Sequence, residues 1–165
     1  MPDTAEYLAR IRQHVQAKEP LALQEETPGV LAELIANKSH QQLTKRPSKD
    51  KWSVCEILAH LAEDEIATAW RYRQMVEHGG IELAGFDQDL WAKMGSYAAR
   101  VPQESLELFR LLRTANLQFL QQLSPEQWEC FGIHAERGRI TVRELAAHMA
   151  GHDINHVEQI RKILG

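Results

Sequence analysis

An all-α fold of four long amphipathic helices is what this chain predicts, and three observations carry that reading. Apolar residues recur at helical spacings of three and four along most of the 165 residues, while the alternation typical of strands is nearly absent. Two capping boxes, S-V-C-E from Ser53 and T-V-R-E from Thr141, mark strong helix starts. Gly79-Gly80 marks a strong stop. The length suits one domain, residues 1–165, with a full core, and 44% hydrophobic residues is ordinary for a globular protein. The class expected is a four-helix bundle with long crossover connections and short extra helices.

In chain order, residues 4–18 form a short leading helix. Residues 27–43 form the first long one, opening at Thr27-Pro28 with proline in its first turn. Residues 44–52, TKRPSKDKW, are a polar loop broken by Pro47. The second long helix runs from Ser53 to the glycine pair, and residues 87–99 hold a shorter helical stretch. Pro102 opens the third, through Leu123, and Ser124-Pro125-Glu126 starts a brief turn carrying Trp128. FGIHAERGRI, residues 131–140, reads as a loop, and the last helix runs from Thr141 to Leu164. Trp52, Trp70, Trp91 and Trp128 are large hydrophobes suited to filling such a bundle, with Trp91 or Trp128 at the mouth of a pocket.

Charge excludes some functions. The net charge is −4 with both signs interspersed, so no basic face is available to follow a phosphate backbone and nucleic-acid binding is not expected. No apolar run reaches membrane-span length, and residues 1–16 are charged, without a signal-peptide core; a cytoplasmic location is the expectation. Cys55 and Cys130 are too few and too isolated for a disulfide framework, and Cys55 reads as a small core residue.

The chemistry concentrates in histidines. His148, His152 and His156 recur every fourth residue in HMAGHDINH, which stacks their rings along one side of the last helix. Two imidazoles a turn apart can bind one metal ion, as in H-E-x-x-H, but the glutamate of that zinc-protease motif is absent. On a helical wheel His152 and His156 fall within roughly 40° of the centre of the stripe made by Leu145, Met149, Ile160 and Ile163, and His148 lies at its edge. Burying two imidazoles there costs free energy unless their nitrogens find partners; a metal ion serves both, and separate polar groups would also serve. His148 and His156 are separated by roughly 12 Å along the axis, too far for both to reach one ion with His152. SVCEILAHLA from Ser53 echoes TVRELAAHMA from Thr141, which pairs His60 with His148; shared needs for a cap and an apolar stripe produce much of that match. Asp153 and Glu158 fall elsewhere on the wheel and read as solvated.

W-S-V-C-E-I-L-A-H-L from Trp52, with Asp64 and Glu65 just after it, the central RYRQM, FDQDLW ending at Trp91, and the terminal His152, His156, Gln159 and Ile160 together resemble the DinB/YfiT-like superfamily of bacterial proteins. The resemblance spans nearly the whole chain. It implies a bundle of up-down-down-up topology in which one histidine of the second bundle helix joins two of the fourth around one divalent ion per chain, usually nickel or zinc. Carried onto this sequence, the ligands are His60, His152 and His156. His134 and Glu136 also match a stretch of that family, which places His134 at the pocket. The resemblance further makes a homodimer plausible, for which a second apolar face with Leu106, Phe109, Leu112 and Phe119 is one source and core packing the competing use of the same residues.

Three neutral imidazoles leave coordination positions open, the arrangement of catalytic rather than structural sites, and imidazole alone does not select among Zn, Ni, Cu and Fe. Such an ion lowers the pKa of its water from about 15.7 toward about 7. Asp64, one turn after His60, is placed to hold a ligand's second nitrogen or to act as a base. The leading expectation is a hydrolase-like metal-dependent enzyme acting on a small molecule. The alternatives are a low-molecular-weight-thiol-dependent S-transferase of detoxification and a non-catalytic metal-binding stress-response bundle. No arginine cluster for a thiol cofactor's carboxylates stands out in the sequence. Metal affinity is expected to fall below about pH 6, where imidazoles gain protons.

Overall fold

The computed structural model describes residues 4–16 and 18–165. Its helices are α1 (Thr4–His14), α2 (Pro20–Ile35), α3 (His40–Thr44), α4 (Val54–His78), α5 (Gln88–Met94), α6 (Pro102–Gln121), α7 (Pro125–Trp128) and α8 (Val142–Leu164), with a 3₁₀ turn at Tyr97–Ala99. Three short strands, β1 (Ile81–Leu83), β2 (Phe131–His134) and β3 (Gly138–Thr141), form one sheet in the order β1-β2-β3. β1 runs parallel to β2, with Leu83 opposite His134, and β3 returns antiparallel to β2, with Gly138 opposite His134. The sheet is the largest departure from the sequence reading, which took residues 131–140 as a loop. Strands of three and four residues are too short to show a period of two.

Both long capped helices start where their boxes place them. Ser53 Oγ accepts from the Glu56 N–H while the Ser53 N–H donates to Glu56 Oε2 at 2.9 Å, and Thr141 and Glu144 repeat the arrangement at α8. The first long helix departs from expectation. It begins at Pro20, ends at Ile35, and leaves residues 40–44 as a separate short helix capped by Ser39. Pro28 lies inside α2 instead of opening it. An interior proline has no N–H for the carbonyl four residues back. Here that carbonyl belongs to Gln24, and Arg113 of α6 donates to it at 3.1 Å, so the helix passes through the proline without leaving the group unpaired.

The core has two apolar clusters with a polar layer between them. On α4, Ile57, Leu58, Leu61 and Ala62 serve the first cluster and Tyr72 and Met75 the second, and on α8 Val157 and Ile160 serve the first and Leu145 and Ala146 the second. Glu65 and Asp153 fall between these sets in sequence, as does Arg113 on α6 between Phe109 and Leu120. Arg113 donates to both carboxylates, through Nη2 to Glu65 at 2.8 Å and to Asp153 at 3.1 Å, and Asn116 donates to Glu65 Oε2 at 2.9 Å. Asp153 is fully buried, which overturns its reading as a solvated acid. Trp70 is 65% exposed and fills no core. Phe109 is fully buried and Leu106 packs against the first cluster; the apolar residues that α6 exposes are Leu108 and Leu111.

α1 lies against α8 at Gly151, where a Cβ would stand 2.3 Å from the Ile11 carbonyl oxygen, so only glycine allows this approach beside His152. Arg10 fixes the contact by donating to Asn155 Oδ1 at 3.1 Å. Among the described residues no helix is long and apolar enough to cross a membrane.

Candidate metal centre

His60, two turns into α4, meets His152 and His156 of α8. The Nε2 atoms of His60 and His152 are 3.1 Å apart, as are those of His152 and His156. All three ligand atoms lie within 4.8 Å of one another. Two imidazole nitrogens on one zinc ion, each about 2.1 Å from it, stand about 3.4 Å apart at a tetrahedral angle, so the observed spacing fits a shared ion. The structure thus brings together the three histidines that the resemblance implied as ligands. His148 is outside the group: its ring stacks on His152 at 6.4 Å between centroids and meets Tyr7 edge-on at 6.5 Å.

The surroundings orient the rings. Trp52 packs on His60, with centroids 5.0 Å apart. Gln159 Oε1 accepts from His156 Nδ1 at 3.1 Å, which puts the proton on Nδ1 and leaves Nε2 with its lone pair. Gln159 was not singled out as functional in the sequence, although it forms part of the family-like C-terminal pattern and sits one turn beyond His156. Among the described residues, buried His152 Nδ1 has no hydrogen-bond partner; Asp64 Oδ2 lies 3.7 Å away and Asp153 Oδ1 4.0 Å away. Asp64 therefore faces the second nitrogen of His152. It does not serve His60, its neighbour one turn back.

Burial dominates the electrostatics. It holds His60 and His152 well below the ordinary imidazole range, with the neighbouring histidines adding to the effect, and it brings His156 to about 4 and His148 to about 3. Asp64 is pushed up to about 7 by burial and by the charge of Glu65, and Asp153 to about 6, chiefly by burial and against the pull of Arg113. The imidazoles are therefore neutral at pH 7, the form that binds metal.

This moves the effect of acid away from the value expected for ordinary imidazoles. As pH falls below about 6.5 the unfolded chain protonates its histidines, while the lowered pKa values of His60, His148, His152 and His156 leave the metal-free fold less protonated across this window. A lowered histidine pKa gives stability that is present above pH 6.5 and lost as pH falls. The raised pKa values of Asp64 and Asp153 act in the opposite sense, adding stability as pH falls, but they are two groups against these four and His134, which burial also lowers. The metal-free protein should therefore lose stability on acidification across this window, by about 1.4 kcal/mol per net proton per pH unit. Urea midpoints from pH 7.5 to pH 4.5 test this; a midpoint that climbs as pH falls would contradict it.

A cleft of about 230 Å³ opens beside the histidines, lined by His60, Asp64 and His152 together with His134, Arg71 and Arg137. His134 lies at the end of β2, and its Nδ1 accepts from the Glu136 N–H at 3.2 Å, which leaves the ring proton on Nε2. Phe86 also lines the cleft, and Trp91 stacks on it at 4.3 Å between centroids, so Trp91 supports the wall from behind. The arginines were not visible as a cluster in the sequence, because they stand far apart in the chain on α4 and the β2–β3 turn.

The comparisons agree with this geometry. Two proteins of Oceanobacillus iheyensis named "putative metal-dependent hydrolase" are similar to the chain. One is 24% identical over 140 residues, covering 84% of this chain and 80% of the relative, and the other 21% identical over 132 residues, covering 79% and 75%. "Putative metal-dependent hydrolase YfiT" of Bacillus subtilis is 21% identical over 145 residues, covering 86% and 82%. The fold matches a solved structure of YfiT from Bacillus subtilis, described as "a probable metal-dependent hydrolase with an unusual four-helix bundle topology". The TM-score is 0.82 at 19% identity, over 87% of this chain and 83% of that one. The family model of the DinB superfamily matches residues 23–160, which takes in all four long helices but for the ends of α2 and α8, and all three clustered histidines. With that span matched, the chain belongs to the DinB superfamily.

Proposed function

We propose that this protein is a metal-dependent hydrolase of a small molecule, in which His60, His152 and His156 hold one divalent ion, nickel or zinc. The observation that carries the reading is the convergence of three buried Nε2 atoms beside an open cleft. The relatives named as metal-dependent hydrolases agree with it. When bound, the ion supplies Lewis-acid activation of water and of a substrate carbonyl or phosphoryl group. Asp64, with a pKa of about 7 and its carboxylate in the cleft wall, takes up and returns a proton at Oδ2 near neutral pH. Gln159 holds the His156 ring in its tautomer. His134, kept neutral by burial, offers an Nε2 proton in the cleft wall as a hydrogen-bond donor. Phe86, with Trp91 stacked on it, gives the cleft one apolar side.

We read the bundle as up-down-down-up. Gln24 of α2 donates to the Ala146 carbonyl of α8, and Leu31 and Ile35 share a cluster with Val157 and Ile160, which supports parallel α2 and α8. Phe109 groups with Leu58 and Leu120 with Met75, which supports parallel α4 and α6. His60 meets His152 and His156 while Thr68 donates to Met149, which supports opposed α4 and α8.

The test is elemental analysis of the purified protein followed by a panel of small esters and amides with the metal-free and zinc- or nickel-reconstituted forms. Hydrolysis that appears only on reconstitution is expected. Absence of any bound divalent ion would overturn the proposal. A second reading, the thiol-dependent S-transferase, gains from the arginines in the cleft wall, which suit the carboxylates of a thiol cofactor. The same panel repeated with a low-molecular-weight thiol and an electrophile separates the two, since only a transferase requires the thiol.

A further inference from the structure

Arg71 and Arg137 line the cleft that His60, Asp64 and His152 also line. Arg71 lies on α4 three turns beyond His60 and is 8% exposed; its Nη2 donates to the Ala84 carbonyl at 2.7 Å, and its guanidinium lies over the Phe86 ring, 5.5 Å from the centroid. Arg137 occupies the turn between β2 and β3. Among the described residues Arg137 has neither a hydrogen bond nor an ion pair, and Arg71 has no ion pair. Asp64 and Glu136, the acids that line the cleft with them, bridge to neither.

We propose that this cleft takes a small molecule bearing an oxyanion, a carboxylate or a phosphate ester, and that Arg71 and Arg137 receive that group. The proposal rests on the metal-site reading, because it places the anionic end of the substrate on the arginines and its reacting bond beside the three histidines. Two guanidinium groups in one recess with no carboxylate bridged to them among the described residues are costly when partly desolvated, and an anion relieves the cost. Burial lowers both arginine pKa values and the charge of Arg71 lowers that of Arg137 further, while Asp64 and, for Arg137, Glu136 offset the lowering only in part. Guanidinium forks suit planar, bidentate capture of carboxylate or phosphate. The support is uneven: the Ala84 carbonyl, just after β1, and Phe86 fix Arg71, whereas Arg137 sits on a turn and can adjust to the ligand.

The experiment is calorimetric titration of the zinc-loaded protein with malonate, inorganic phosphate and the neutral diamide malonamide. An oxyanion should bind at least about tenfold more tightly than malonamide, and the malonate and phosphate arms tell which oxyanion is preferred. R137Q and R71K should each weaken oxyanion binding about tenfold while zinc content stays unchanged. Because Arg137 lies on a surface turn, R137Q stands as the test even if R71K disturbs α4. Wild-type protein that binds malonate no better than malonamide overturns the proposal. So does malonate binding that disappears in H152A yet is intact in R137Q and R71K, because the anion would then sit on the metal. A wild-type protein that takes up no zinc but binds malonate through Arg137 sinks the metal reading and leaves the arginine site standing.

Discussion

Replacing His152 by alanine should reduce bound divalent metal from about one ion per chain to none at neutral pH. His152 is the middle member of the group, with its Nε2 3.1 Å from the Nε2 of both His60 and His156. Its removal leaves two imidazoles on different helices with no third donor, and an ion held by two protein ligands in place of three is easily stripped by dialysis. His148→Ala is the matched control, since that ring stacks on His152 but contributes no atom to the group. It should keep full metal content. Elemental analysis after dialysis reads both variants, and circular dichroism confirms that each is folded. Metal retained in full by H152A, or lost by H148A with the fold intact, would place the site elsewhere on α8.

The helical framework was legible in the sequence wherever a local signal fixes structure. The boxes at Ser53 and Thr141 set the starts of α4 and α8, hence the phase of both histidine-bearing helices, and the apolar stripe separated His152 and His156 from His148. What stayed hidden depends on partners distant in the chain. Pro28 read as a helix start because proline is favoured there; its place inside α2 depends on Arg113, many residues later, filling the Gln24 carbonyl. Asp153 read as solvated because a wheel shows which side a residue takes and not what waits there, and what waits is again Arg113. β1 and β2 pair across about fifty residues of chain, so their register could not be seen locally. With the sheet went the turn that carries Arg137 toward the cleft. His60 was the exception among distant partners, because the family resemblance named it where its own position on the wheel was marginal.

Arg113→Met should destabilise the fold by about 3–5 kcal/mol, read as a fall in the urea midpoint without a change in slope. The substitution keeps the volume of the side chain and removes a charge that is 1% exposed and pairs two carboxylates exposed by no more than 2%. Glu65 and Asp153 would then be buried without a cation, which costs far more than the net gain the pairs provide when complete. Burial alone would weaken the Arg113 cation, but the two carboxylates more than offset it and keep it charged at any working pH, so pH does not supply an alternative route to neutrality for the arginine. A loss below about 1 kcal/mol would show that the carboxylates find water or each other, and would reject the network as a structural core. Pro28 gives a second, independent reading of the same side chain. In the native protein the Gln24 carbonyl is satisfied by Arg113 at 3.1 Å, so Pro28→Ala gains little from restoring an N–H to a carbonyl already bonded. In the Arg113→Met background that carbonyl is orphaned, and Pro28→Ala should recover about 1 kcal/mol more than it does in the native background. A double-mutant cycle isolates this coupling: effects that add within about 0.5 kcal/mol would mean that Arg113 is not what lets α2 carry a proline in its interior.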